Sequence, residues 1–282
     1  MSTTGVYIKP RTLPEALAAL SAGGARILSG GTDFYPALGD RVVEDAVVDV
    51  SALAELRGLE MEGDFFRIGG LTTWSDIIRA PLPRCFDALK GAAREVGSVQ
   101  IQNRGTVAGN LCNASPAADG VPPLLALDAE VELASKACTR RMKVENFIVG
   151  NRKTEKRADE ILTAVLVPRS LENAASVFMK LGARRYLVIS IAMVAVIIAI
   201  DAGRVTEARI AVGSCSAVAR RLRALENELV GAGVRAGFHG LVKPQHFSSL
   251  SPINDVRATA EYRMDAALTL VQRALNACVR IA

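Results

Sequence analysis

The sequence predicts an α+β protein of two compact units. Three observations carry this: the chain length, short β-branched segments interleaved with glycine turns, and a C-terminal hairpin followed by a long helical pattern. At 282 residues the chain exceeds the size at which one hydrophobic core keeps growing. Half of its residues are hydrophobic and 22% are charged, a balance that can bury a large core and excludes general disorder.

The first helix opens at Thr12, where T-L-P-E supplies a capping hydroxyl, a proline in the first turn and Glu15 three residues on, and Gly23-Gly24 stops it. ARIL then runs as a short strand into the tight loop Ser29-Gly30-Gly31-Thr32-Asp33. AVVDVS (46–51) and FFRIGG (65–70) read as strands and Thr73 to Arg79 as a short helix. The first 55 or so residues thus form a small αβ subdomain. The next unit carries Ile101 to Asn110, the apolar Val121 to Leu127, the strand EVELAS (130–135) and the strand DEILTAVLVP, closed by Pro168. Beyond it, Ser176 to Leu181 and Leu187 to Ile200 read as strands, and Asp201-Ala202-Gly203 turns the chain back into Val205 and RIAVGS. Apolar positions Ala260, Met264, Ala267, Leu268, Val271, Leu275 and Val279 recur at helical spacing, so the tail packs one face onto that sheet.

Several function classes fall away. The net charge of +5 is the small excess of 34 basic over 29 acidic residues, spread along the chain, and predicts no nucleic-acid partner. Five cysteines without a CxxC pair or ligand spacing to the two histidines argue against a disulfide framework or a zinc site. Met1 opens a polar stretch without the regions of a secretory leader, so a cytoplasmic location and reduced thiols are expected. The longest apolar run, Leu187 to Ile200, is broken by Ser190 and is shorter than the ~18–20 residues of a membrane helix; no membrane insertion is expected.

The chemistry-bearing features are the two glycine loops, Ser29 to Asp33 and Gly105 to Asn110. A loop lacking Cβ atoms brings consecutive backbone N–H groups to a phosphate, and Thr32 and Thr106 add hydroxyls. Neither GxxxxGK[ST] nor a strand-led GxGxxG is present; GAGVRAG at Gly231 has the wrong spacing and reads as a loop. His239 and His246, the two histidines, read as loop residues with no acid–base role. The sequon at Asn113 is local turn chemistry.

SGGTDF, EVGSVQIQNRGTVAGNLCNASPAADGVPPLLALDAEVEL and SPINDVRATAEYRMDAALTLVQRAL together resemble the FAD-binding medium subunit of molybdenum hydroxylases, the family of carbon monoxide dehydrogenase and bacterial xanthine dehydrogenase flavoprotein subunits. The resemblance spans essentially the whole chain. It implies a PCMH-type (vanillyl-alcohol-oxidase-type) FAD-binding domain over residues 1–172, of subdomains about 1–55 and 56–172. Residues 173–282 would form an α+β domain like the carbon monoxide dehydrogenase flavoprotein C-terminal domain.

On that resemblance, Ser29, Gly30, Gly31, Thr32 and Asp33 and the loop Thr106, Val107, Ala108, Gly109 and Asn110 cradle the pyrophosphate with backbone amides, and Asp119 bonds the ribose region. Val96 and Leu162 face the isoalloxazine, Lys180 stands near its polar edge, and Tyr186 covers the ring. Lys180 also reads as a strand-end charge and Tyr186 as a strand-edge aromatic. FAD is expected to be non-covalent. The molybdenum cofactor and [2Fe–2S] clusters are expected on a large and a small partner subunit, in a dimer of heterotrimers. This chain would relay electrons from the iron–sulfur clusters to an external acceptor, with no catalytic side chain of its own because flavin carries the redox step. The cysteine-rich insertion of 4-hydroxybenzoyl-CoA reductase medium subunits has no counterpart: Cys112 and Cys138 fall short of the usual four thiolates of a cluster. A self-contained PCMH-type flavin oxidase and a non-catalytic docking subunit are the competing readings.

Overall fold

The structure, a computed structural model, describes residues 5–234, 237, 238 and 240–282. Strand β1 (Tyr7–Ile8) leads to helix α1 (Leu13–Ser21), β2 (Ala25–Leu28), α2 (Phe34–Leu38) and β3 (Ala46–Asp49). Thr12 caps α1 by accepting from the Glu15 amide, while the Glu15 carboxylate reaches back to the Arg11 amide at 2.9 Å. Gly23 and Gly24 follow its last turn with φ of 82° and 71°, a backbone that L residues with side chains avoid. The three strands form a parallel sheet in the order β1-β3-β2. Ala16, Leu17 and Leu20 of α1 pack on Val48 and Val50.

Next come β4 (Leu59–Glu62), β5 (Phe65–Gly69) and the helices α3 (Trp74–Arg79), α4 (Asp87–Glu95), α5 (Val99–Gln102), α6 (Val107–Asn113) and α7 (Val121–Ala126). They are followed by β6 (Glu130–Ala134), β7 (Thr139–Lys143), α8 (Val144–Phe147), β8 (Ile148–Gly150), β9 (Lys153–Thr154) and β10 (Ile161–Pro168). The principal sheet here runs β4-β5-β10-β6-β7 with antiparallel neighbours. Its inner face, with Phe66, Ile68, Val131, Leu133, Val165 and Val167, packs into the core beneath the helices. The β10–β6 register shifts between Leu162 and Ala164, a bulge of the kind that re-aims a side chain beside a site.

The chain ends with β11 (Ala175–Leu181), β12 (Ala192–Asp201), β13 (Arg204–Gly213), β14 (Arg220–Arg221), α9 (Arg223–Leu229) and α10 (Ala260–Ile281). The sheet order is β11-β12-β13-β14. The β12–β13 turn holds Ala202 at φ 46° and Gly203 at 75°, the two positive values that the common two-residue hairpin requires. β12 is buried on both faces, which explains its continuous apolar run. Val194, Val196 and Ile198 join the core under α10, whereas Ala195 and Ile197 join the core of the preceding sheet and helices.

One expected boundary is corrected. The strand read from Leu187 starts only at Ala192, because residues 187–189 leave the sheet and turn to a cleft. Val121 to Leu127 is mostly helix, with every residue of α7 buried. Among the described residues, no helix is long and apolar enough to cross a membrane and no group of three or more metal-ligating side chains forms. His239 and part of the loop 231–237 lie outside the described residues. His246 is buried, with Nε2 2.9 Å from Glu228 Oε2.

Candidate functional site: a cleft between two glycine loops

The loop after β2 and the turn before α6 meet in backbone contact. A Cβ on Gly30 would overlap Arg104 O and stand 2.7 Å from Arg104 C and 3.1 Å from Gly105 Cα, so only glycine permits the approach. Gly31 sits at φ 76°. Ser29 Oγ is 3.3 Å from Thr106 Oγ1, tying the two loops through their hydroxyls. Between them and Glu95, Val96, Asp119, Leu162 and residues 187–189 lies a cleft of about 850 Å³, within the size range of cofactor sites.

The amides differ between the loops. Those of Gly30, Gly31, Thr32 and Asp33 donate to no protein acceptor among the described residues. Consecutive free N–H groups of this kind make an anion-binding concavity. In the second loop the Val107 amide donates to Thr72 O at 3.1 Å, the Asn110 amide to Thr106 O at 3.1 Å and the Gly109 amide to Thr106 Oγ1 at 2.9 Å. Of residues 107–110, only Ala108 keeps an amide without an acceptor among the described residues. The expectation that all these amides face a ligand is corrected: those of Gly109 and Asn110 are taken up by the Thr106 cap that starts α6, and that of Val107 by Thr72 O on the neighbouring segment. Val107 also points its side chain into the core and does not line the cleft. What the second loop offers instead is Asn110, which lines the cleft and whose Oδ1 is buried with no hydrogen-bond partner among the described residues. A buried orphan acceptor costs about 1–3 kcal/mol, so a donor that reached it would relieve that cost.

The expected residues Ser29, Gly30, Gly31, Thr32, Asp33, Thr106, Ala108, Gly109, Asn110, Asp119, Val96 and Leu162 all line this cleft. Lys180 does not line it. Its Nζ donates to Asp119 Oδ2 at 2.6 Å, and both side chains are buried. Ser190 Oγ donates to the other Asp119 oxygen at 2.6 Å. Burial pushes the Asp119 carboxyl up, against the pull of Lys180. Asp119 is therefore a hub between the loop before α7 and strand β11, with both oxygens occupied by the protein. Tyr186 is 68% exposed and stands beside the Arg185 guanidinium, 5.2 Å from its ring centre. The cleft lining is taken instead by Leu187, Val188 and Ile189.

Trp74 is the main feature that sequence reasoning missed. The single tryptophan is 1% exposed and lines the cleft. Its amide donates to Gly105 O at 3.1 Å. A Cβ on Gly120 would collide with its ring, and one on Gly105 would stand 3.4 Å from Cδ1. The signal was present as a sole tryptophan directly behind the Thr73 cap, with glycines at 105 and 120 leaving room for it. Three cations also line the cleft: Arg26, Arg152 and Lys156. Arg26 lies 4.7 Å over the Phe34 ring, and Arg152 donates to Asn113 Oδ1. These free amides, the orphan Asn110 oxygen and apolar walls fit a long, anionic, hydroxyl-rich group with an apolar ring.

Residues 2–170 match the family described as the FAD binding domain in molybdopterin dehydrogenase, and residues 177–278 match the CO dehydrogenase flavoprotein C-terminal domain. The nicotinate dehydrogenase FAD-subunit of Eubacterium barkeri is 37% identical over 235 residues, covering 80% of this chain and 79% of the relative. The nicotine 6-hydroxylase medium subunit of Paenarthrobacter nicotinovorans is 30% identical over 273 residues, covering 95% of each. A solved carbon monoxide dehydrogenase structure from Hydrogenophaga pseudoflava, lacking the Mo-pyranopterin moiety of its cofactor, aligns with a TM-score of 0.89 at 26% identity, over 99% of this chain and 98% of that one.

Proposed function

The chain belongs to the FAD-binding medium subunits of molybdenum hydroxylases, and from that premise we propose that it relays electrons through a non-covalent FAD in the cleft described above. The electrons would arrive from [2Fe–2S] clusters on a small subunit, fed by a molybdenum-bearing large subunit, and leave to an external acceptor. The working assembly on this reading is a dimer of heterotrimers in the cytoplasm, with this chain divided at residues 172 and 173.

The observation that carries the reading is the run of four free amides at Gly30 to Asp33, in a loop whose backbone touches the turn before α6. In this arrangement the amides hold the pyrophosphate, and the Ala108 amide adds a donor from the other side. Asn110 Oδ1 accepts from a hydroxyl of the cofactor. Val96 and Leu162 supply apolar surface for the isoalloxazine. Asp119 reaches the cleft as part of the pair with Lys180, and its electrostatic influence on the flavin is that of the pair. The bound flavin supplies the redox chemistry; the protein supplies placement, field and exclusion of side reactions. The relatives are named for nicotinate, nicotine and carbon monoxide chemistry, which fits a shared relay chain whose substrate is chosen on another subunit.

Purification from the native host tests the whole reading. The expected result is co-purification with two further chains, molybdenum and iron in the complex, and FAD released into the supernatant on denaturation. Protein that purifies alone, or that carries no flavin and takes none up, would overturn it.

A further inference from the structure

The segment between β11 and β12 makes an apolar lip on the cleft. Leu187, Val188 and Ile189 line it, yet Leu187 is 55% and Ile189 63% exposed. Leu187 adopts φ 51°, a left-handed backbone that a branched side chain does not favour by itself. The surrounding structure must therefore hold the lip in place. At its tip, Arg184 Nε donates to Tyr186 O at 2.9 Å and to Leu187 O at 3.1 Å. At its base, the fully buried Ser190 donates to Asp119.

Two arginines, one from the segment leading into α10 and one from its first turn, grip the same base. Arg257 Nη1 donates to Ser190 O at 2.9 Å, and Arg263 Nη1 donates to Ile191 O at 2.7 Å. Asp255 joins them: Oδ2 accepts from Arg257 Nη2 at 2.6 Å and Oδ1 from Arg263 Nη2 at 2.6 Å. Arg263 is fully buried and also bonds Ser214 O, so it belongs to the core. Arg257 keeps 28% of its side chain exposed. It can be removed without leaving a sealed hole, and the bond it makes to the lip is a charged one.

We propose that Arg257 is a positioning residue for the bound flavin. Acting through Ser190, it holds the lip Leu187 to Ile189 across the cleft and limits how freely small solutes reach the flavin. The inference rests on the cleft being the FAD site. Loss of one charge-assisted hydrogen bond biases a two-state segment by about tenfold or more, so the open lip becomes about tenfold more populated.

The test uses the purified holoprotein with whatever partner chains accompany it, and the variants Arg257→Ala, Arg257→Lys and Ile189→Ala. Two rates are read: reoxidation of the dithionite-reduced flavin by dissolved oxygen, followed by flavin absorbance, and trypsin cleavage after Arg184 or Arg185. Arg257→Ala is expected to keep its flavin and to raise both rates about threefold or more. Arg257→Lys, which keeps a cation for the Ser190 carbonyl, is expected to recover most of the difference, a rescue that a general loss of stability would not produce. Ile189→Ala shortens the lip without touching the clamp and is expected to raise the reoxidation rate alone. Flavin-loaded Arg257→Ala with both rates unchanged, or Ile189→Ala with unchanged reoxidation, would overturn the proposal. A parent protein without flavin would instead sink the assignment of the cleft.

Discussion

Replacing Gly30 with alanine adds a single methyl group at the point where the two loops touch. That carbon would overlap the Arg104 carbonyl oxygen and stand 2.7 Å from Arg104 C, against 3.4 Å for ordinary contact. The loops must separate by at least about 0.7 Å on the carbon distance alone. The obstacle is backbone on both sides, so no side chain can swing away to absorb it. Overpacking of this kind costs about 1–3 kcal/mol. In the FAD-free protein the loops can relax apart; holding the pyrophosphate between the free amides and α6 brings them together again, so the cost falls on binding. The expected result is FAD affinity lower by about 5- to 150-fold, measured by titrating flavin-stripped protein and following fluorescence. Gly150→Ala is the control, because a Cβ there meets nothing closer than 3.6 Å. Both substitutions stiffen the unfolded chain alike, so their difference isolates the contact between the loops. Gly30→Ala protein that binds FAD as tightly as the control would refute the argument.

Two further outcomes follow from buried groups away from the cleft. Arg221 is buried between Glu226, whose oxygens accept at 2.6 and 2.8 Å, and Asp128, at 2.7 Å from Nη1. Arg221→Met leaves the buried Glu226 with only the more distant Arg223, at 4.0 Å, as a cation and is expected to cost up to about 3–5 kcal/mol, seen as a lower unfolding midpoint in calorimetry; an unchanged midpoint would show that the network contributes little. Burial pushes the thiols of Cys85 and Cys278 up to about 12 and that of Cys215 to about 11, from 9.0. The folded state thus holds these protons more tightly than the unfolded chain, and their contribution is complete below pH 9.0 and lost as pH rises toward 11–12. Stability is expected to fall through that alkaline window, and to fall less in a variant with Cys278→Ala; equal slopes for both proteins would count against the assignment.

Much of the architecture is legible in local chemistry because the relevant cause is local. The Thr12 cap, the double glycine stop, the Ala202-Gly203 turn and the amphipathic α10 each depend on residues within a turn or two. Other elements lack such a signal. The edge strand β7 reads TRRMK and carries arginines toward Glu160 and Glu132, so it shows no apolar alternation. Helix α4 buries mostly alanines and contains Gly91, where a methyl group would stand 3.3 Å from Phe178 Cβ on the neighbouring strand. At the site, glycine spacing pointed to two loops, but which amides remain free is decided at a distance. Thr72 O lies 35 residues from the Val107 amide that it accepts. Lys180 behaves similarly: its charge is evident from the sequence, whereas its partner Asp119 lies 61 positions away, on the other side of the cleft wall.

The state of Asp119 bears on the choice between a relay chain and a self-contained oxidase. An oxidase that takes a hydride from an organic substrate commonly needs a group to receive the accompanying proton, and such a base must present a lone pair within hydrogen-bond reach of the reacting atom. Asp119 is the most buried carboxylate among the cleft-lining side chains, which makes it the natural candidate. Both of its oxygens already accept at 2.6 Å, one from Lys180 and one from Ser190. Service as a base would neutralise the carboxylate that faces the buried Lys180 ammonium, a loss of up to about 3–5 kcal/mol. A relay subunit has no such demand, because electrons pass through the flavin while the carboxylate stays paired. The same pairing that disfavours Asp119 as a base gives it a reason to be present: it joins the loop before α7, strand β11 and the lip at a single buried point, so the walls around the cofactor are held in register.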